Sequence, residues 1–185
     1  MEPINLSDYE PLAREKLPKE HYDFIAGGAE DEVTLHENVA AFQRIQLLPR
    51  ALVDVNEVDT STEVLGQPVE LPVLLAPVGL QRLAHPDGEV ASARAAAAAG
   101  TVMVVSTSAS CTIEEVAEAA DGPQWFQLYL FSRGFAQRLV ERAEEHGYSA
   151  LCLTVDSPRL GQRERDIRNA FRVPPEAVPR NLTEA

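Results

Sequence analysis

Leu151-Cys152-Leu153-Thr154-Val155-Asp156-Ser157-Pro158-Arg159-Leu160-Gly161-Gln162-Arg163-Glu164-Arg165-Asp166 is an apolar β-type run that ends in two polar residues of one parity. Side chains alternate faces along a strand, so Thr154 and Asp156 share a side. A buried strand has no packing reason to place a hydroxyl and a carboxylate together at its C-terminal end. The mouth of an α/β barrel, where ligands sit, supplies a chemical reason. A Pro/Gly loop then delivers Arg163, whose guanidinium suits a two-pronged grip on an anion. The local alternative is plain: Arg163, Arg165 and Arg168 alternate with Glu164 and Asp166, and mixed charge of this kind commonly marks a solvated helix start.

Upstream of this run the same strand-then-helix pattern repeats. Pro72–Ala76 predicts a first buried strand. Asp87 is placed to cap a helix over 88–99 that stops at Gly100, and 101–106 is a second strand. Thr112-x-x-Glu115 is a capping box for a helix ending at Asp121-Gly122. Residues 124–130 form a third strand, Phe135, Leu139, Val140 and Ala143 stripe a helix ending at Gly147, and 150–156 is the fourth strand. Continuous apolar strands between amphipathic helices imply a parallel sheet covered on both faces. A doubly wound sheet and half of an eight-stranded barrel both fit four such units. Polar residues at successive strand ends favour the barrel, which four strands cannot close.

The first seventy residues read differently. Ser7-x-x-Glu10 is a second capping box, followed by Tyr9, Leu12, Ala13 and Leu17 at helical spacing. Pro18 opens a short helix that ends at Gly27-Gly28, and Leu35, Val39 and Phe42 mark the inner face of a third. Residues 45–70 form a β-rich connection with turn signals at Gly66-Gln67-Pro68. At the far end, Pro174, Pro175 and Pro179 predict a long mobile loop open to proteolysis. The expected layout is therefore a helical segment and β-rich connection over 1–70, four β/α units over 71–156, and a long active-site loop over 157–185.

Composition removes several function classes. The chain has 185 residues, is 45% hydrophobic and carries a formal net charge of −13, from 29 acidic and 16 basic side chains. That balance argues against nucleic acid or an anionic membrane surface as the main partner. Apolar runs fall short of a membrane span, and the N-terminal residues have neither the basic nor the apolar region of a secretory signal. Cys111 and Cys152 do not form a metal-type spacing, so a reduced cytoplasmic protein is expected.

Chemistry concentrates at the strand ends. Ala76-Pro77-Val78-Gly79 would let the backbone lie against a flat ligand, although an ordinary βα turn has the same composition. Ser106 opens a polar loop with Thr107, Ser108 and Ser110, which also reads as a plain helix lead-in. Gln127 and Tyr129 share one face. An inward Gln needs partners for both its carbonyl and its amide; a structural network or the pyrimidine part of a flavin would serve. The four histidines lie in surface-like helical contexts or at a helix entry, and neither G-x-G-x-x-G nor a P-loop is present.

Taken together, these residues resemble the FMN-dependent (S)-2-hydroxy-acid oxidases and dehydrogenases, the family of glycolate oxidase, lactate oxidase and mandelate dehydrogenase. Tyr22–Ala29, Leu75–Gly79, His85-Pro86-Asp87-Gly88-Glu89, Trp125–Tyr129, Leu153–Asp156 and Gly161–Arg163 carry the resemblance over nearly the whole chain. It implies an α/β fold, the N-terminal half of a TIM (β/α)8 barrel with an N-terminal helical segment, and FMN lined by Pro77, Val78, Gly79, Ser106, Gln127 and Thr154. It further implies that Tyr129 and Arg163 bind the carboxylate and hydroxyl of a 2-hydroxy acid. Asp156 would pair with a catalytic histidine, and flavin N5 would accept the hydride or its equivalent. The family usually has tyrosine at Phe24, a substrate-contact position, so one hydroxyl contact is missing. Many glycolate-type members have alanine at Gly79, which suggests more room over the flavin and a bulkier substrate.

The base histidine, a second arginine, a lysine near the flavin and the phosphate site belong to the second half of such a barrel. A C-terminal half, as a second chain or as a fragment of the same precursor, is therefore the expected partner, within a homo-oligomer. Two other readings stay open at this stage: a non-catalytic half-barrel binding module, and another flavin-dependent barrel enzyme such as an isomerase.

Overall fold

The structure, a computed structural model, describes residues 2–157 and 159–183; Pro158 and the last two residues of the expected active-site loop lie outside it. Two compact units divide the chain, Met1–Val58 with Arg159–Arg172 and Asp59–Pro158 with Val173–Ala185. The units part between Val58 and Asp59, while the expected layout divides the chain near residue 70, and the stretch after the fourth strand is shared between the two units.

In the first unit, α1 (Tyr9–Lys16), α2 (Lys19–Ala26) and α3 (Val33–Gln43) precede the short α7 (Glu164–Arg168). The N-terminal box is formed by Asn5 and Asp8, two residues before the expected Ser7 and Glu10. Glu10 instead accepts the Tyr22 hydroxyl at 2.8 Å. The helix over 33–43 forms as expected, but its expected inner face does not: Val39 and Phe42 are exposed.

In the second unit, β1 (Thr62–Val64) and β2 (Gln67–Val69) make a hairpin. Its two turn residues, Leu65 and Gly66, both have positive φ, which matches the twist of the flanking strands. The parallel sheet is β3 (Met103–Ser106), β4 (Gln124–Leu128) and β5 (Ala150–Leu153), in that order. Met103 aligns with Gln124, and Trp125 with Ala150. Pro72–Ala76 does not form the buried strand that was expected. It makes one parallel bridge, Leu75 to Met103, and Val73 is exposed. Its carbonyl and N–H at Leu75 still join the ladder, to Val104 N and Val102 O at 2.9 Å each.

One sheet face packs on α4 (Gly88–Ala98), α5 (Ile113–Ala119) and α6 (Arg133–Glu145). Alanine supplies much of α4, since it loses no side-chain entropy in a helix. Met103, Val105, Phe126 and Leu128 meet Ala93, Ala96, Ile113, Val116, Leu139 and Ala143 in this core. Burial of Phe126 alone contributes about 1.5–3 kcal/mol. Val104 and Trp125 face the other way, towards Val69, Leu74 and Cys152. β5 is the last strand of the sheet, and Leu151 and Leu153, in register with buried Phe126 and Leu128, are exposed.

The proline-rich tail is docked, which corrects the expectation of a mobile loop. Pro174 and Pro175 lead into a 3-10 turn over Pro175–Ala177, and α8 follows over Arg180–Thr183. Ala177 and Asn181 are fully buried. The Asn181 carboxamide accepts from Ile113 N–H at 3.0 Å and donates to Cys111 O at 3.3 Å, so it satisfies the start of α5. Arg180 pairs with Glu115 at 2.7 Å.

A two-pronged pair ties α6 to α5: Arg142 donates to Glu114 at 2.7 and 2.8 Å. These bonds, against the opposing effect of burial, pull the Glu114 carboxyl from its ordinary 4.5 down to about 2. The stabilisation is complete above the ordinary value and is lost as pH falls through about 4.5 towards about 2. The pair is partly solvated, so about 1–2 kcal/mol is expected, less than the full shift would imply. Glu114→Gln should lower urea stability at neutral pH by that amount and flatten the acid limb. Parallel pH curves for the two proteins would remove this pair from the acid response.

Candidate functional site

Three strand ends converge on one carboxamide. Ser106 ends β3 and is in register with Gln127 of β4, which is in register with Cys152 of β5. Thr154 lies just past β5, its N–H on Leu128 O at 3.0 Å. Gln127 is buried, 3% exposed. Its Oε1 accepts from the Ser106 hydroxyl at 3.2 Å and from Thr107 N–H at 3.1 Å. Its Nε2 donates to Thr154 Oγ1 at 2.7 Å. Thr107 N–H is only a donor, which fixes which end of the amide is oxygen. The network that an inward Gln requires is thus supplied by the protein itself.

The network is not saturated. The bonds above use one Nε2 hydrogen of Gln127 and leave the other, with the hydroxyl hydrogen of Thr154, uncommitted at the strand ends. Ser106 Oγ also accepts from Ser108 N–H at 3.1 Å, so Ser106 is a brace more than a contact. A pair of adjacent donors suits a planar heterocycle with carbonyl and ring-nitrogen acceptors on one edge. The residues therefore fit the polar edge of a flavin.

The loop over 77–79 borders this ladder. Its second residue, Val78, is exposed, and Leu80 N–H bonds Ser108 O at 3.1 Å. A Cβ on Gly79 would lie 2.8 Å from Ser108 O and 3.0 Å from Ser108 Cβ. The expected spare room over a flavin is thus not open space in that direction. The two loops touch there, so a methyl would require the Ser108 backbone to shift.

Tyr129 follows β4, and its N–H is held by Thr107 Oγ1 at 3.2 Å. Thr107 Oγ1 also donates to Gln127 O at 2.5 Å, so one buried hydroxyl aligns both residues. The Tyr129 ring is half-buried, 5.9 Å from that of Phe131. Asp156 is exposed beyond the end of β5.

Phe24 and Arg163 are brought together in the first unit. The Arg163 guanidinium lies 4.9 Å above the Phe24 ring, whose other stacking partner is Phe171 at 4.8 Å. It also donates to Phe24 O and, through Nε, to Asp166 at 2.6 Å. Arg163 stands at the N-cap position of α7, so the bland helix-start reading holds for its backbone. Its side chain is held in one orientation and is 36% exposed, with guanidinium donors to spare.

Sequence reasoning passed over Thr107 and Ser108, which it grouped as a polar lead-in. It also gave Glu89 no role. A carboxylate in the first turn of an alanine-rich helix was the available signal.

A family profile described as FMN-dependent dehydrogenase matches residues 13–185. Glycolate oxidase 3 of Arabidopsis thaliana is 52% identical over 99% of this chain and 49% of its own length. L-lactate oxidase of Nostoc sp. is 54% identical over 98% of this chain and 51% of its own. Among solved structures, a soluble mutant of the membrane-associated (S)-mandelate dehydrogenase of Pseudomonas putida superposes with a TM-score of 0.94 at 42% identity. That match covers 98% of this chain and 52% of that one. The chain thus spans about half the length of the relatives it matches, and its α/β fold is similar to the N-terminal half of their barrel.

Proposed function

We propose that this chain, which belongs to the FMN-dependent dehydrogenase family, provides the N-terminal half of a barrel that oxidises a 2-hydroxy acid to a 2-oxo acid. The Ser106–Gln127–Thr154 ladder carries this reading. Its two unspent donors, at the C-terminal ends of parallel strands, lie where a barrel binds its ligand.

FMN, when bound, supplies the acceptor for the hydrogen and electron pair that leave the substrate α-carbon. Gln127 and Thr154 would hold its polar edge, and the backbone of Pro77, Val78 and Gly79 would lie against its ring, with Ser106 bracing Gln127. Tyr129 would donate a hydrogen bond to the substrate hydroxyl or carboxylate oxygen. Arg163 would hold the carboxylate as an ion pair, and Phe24 would support the Arg163 guanidinium by stacking. Asp156 would pair with a histidine from the C-terminal half and favour its protonated form once it has taken the hydroxyl proton. Exposed Leu151 and Leu153, on the last strand of the sheet, support completion by such a half, because edges of this kind are normally covered.

No helix among the described residues is long and apolar enough to cross a membrane. A cytoplasmic location, which the two free cysteines support, and a homo-oligomer complete the reading; fractionation tests the first and light scattering the second.

Gln127→Ala tests the cradle. It removes the donor to the ring and unties Ser106 and Thr154 together, each loss being about 1 kcal/mol. FMN affinity of the complete protein should fall about thirtyfold or more, read by quenching of flavin fluorescence. Unaltered affinity would place the flavin elsewhere.

A further inference from the structure

His85-Pro86-Asp87-Gly88-Glu89 has no role in the reading above, yet it ends in a fully buried carboxylate. Burying such a group is costly unless its oxygens are paired. Glu89 meets four donors. Its Oε1 accepts from the N–H of Gln81 at 3.1 Å and of Ser110 at 3.0 Å. Its Oε2 accepts from the Ser110 hydroxyl at 2.8 Å and from Cys111 N–H at 3.0 Å. The Ser110 oxygen in turn accepts Arg82 N–H at 3.0 Å, which leaves its hydrogen for Glu89.

These donors come from two loops. Gln81 and Arg82 follow Pro77–Gly79, and Ser110 and Cys111 follow Ser106. The clamp extends to Val78, whose carbonyl accepts from Gln81 Nε2 at 3.1 Å, while Gln81 Oε1 accepts from Ser92 of α4 at 2.6 Å. Gly88 makes room for it. With φ at +51°, a Cβ there would stand 2.9 Å from Arg82 Cγ and 3.3 Å from both Ser110 Oγ and Cys111 Sγ.

We infer that Glu89 is a positioning residue for the flavin. One carboxylate holds both loops, so it sets the spacing between the Val78–Gly79 backbone and the Ser106–Ser108 backbone. It acts without touching cofactor or substrate. The inference rests on the proposal that these loops line FMN. A carboxylate with a purely structural role would change stability alone.

Glu89→Gln keeps the volume but turns an amide N–H2 towards two donors. In the complete, flavin-loaded protein, the dissociation constant for FMN should rise about tenfold or more, with a shifted flavin absorption band. Glu114→Gln, which breaks a partly solvated pair elsewhere in the same unit, should lower stability and leave both readings unchanged. A folded Glu89→Gln protein that binds FMN within twofold of the parent, with an unshifted band, overturns the inference. If that variant does not fold, Ser110→Ala removes a single donor and should weaken FMN about fivefold; unchanged affinity there overturns it equally. Gln127→Ala separates the two levels. No effect in Gln127→Ala overturns the cradle itself. A loss there, with Glu89→Gln and Ser110→Ala unaffected, overturns the role of Glu89 alone.

Discussion

Arg163→Met, made in the complete enzyme, should raise the Michaelis constant for a 2-hydroxy acid about tenfold to a hundredfold while turnover changes far less. A charge-assisted bond to a carboxylate contributes roughly 1.5–3 kcal/mol, and each 1.4 kcal/mol is a factor of ten. The carboxylate is present in substrate and transition state alike, so its loss weakens both about equally and appears in the Michaelis constant. Asp166, at 2.6 Å from Nε, spends part of the Arg163 charge and keeps the effect near the lower end. Methionine also loses the stacking on Phe24 and the bond to its carbonyl, so circular dichroism should accompany the kinetics. Lysine is not a substitute, because the stack and the fork both need a planar guanidinium. A Michaelis constant unmoved in folded Arg163→Met would remove this residue from substrate binding.

Tyr129→Phe should do the opposite, reducing turnover about a hundredfold with a small change in the Michaelis constant. A donor aimed at an oxygen that gains charge in the transition state contributes more there than in the ground state. Tyr129 suits such a task because its backbone is fixed: Thr107 Oγ1 ties its N–H to the same hydroxyl that grips Gln127 O. The Tyr129 backbone is thereby placed relative to the Gln127 ladder. Stopped-flow reduction of the flavin under anaerobic conditions isolates this step from reoxidation. Flavin reduction at the parent rate would assign Tyr129 to packing beside Phe131.

Much of this was legible in the chain. The helices and strands of the second unit follow from spacing within a few residues. Thr112 and Glu115 cap α5 as their pattern requires, and Ser106, Gln127 and Thr154 fall at strand ends because parity along a strand is a local property. Residues 72–76 show the limit of that logic. Their apolar run is strand-like, but membership of a sheet depends on neighbours, and this segment forms a single bridge. The stripe of Leu35, Val39 and Phe42 likewise predicts a helix without saying what covers it.

Only tertiary structure decided what the loops do. Glu89 meets Ser110 across 21 positions of sequence, and Asn181 meets Ile113 across 68. No periodicity encodes such pairs, since the chain must first fold to bring one acceptor beside several backbone donors. The same holds for Gly79, whose spare volume the sequence suggested and the Ser108 carbonyl fills. The proline-rich tail is a third case: composition favoured mobility, but a buried carboxamide that satisfies the start of α5 holds it in place. The sequence by itself determined the fold class, the family and the placing of polar residues at the strand ends, because these depend on residue type and short spacing. The tertiary structure decided which of those residues brace one another, because buried polar groups must be satisfied in three dimensions.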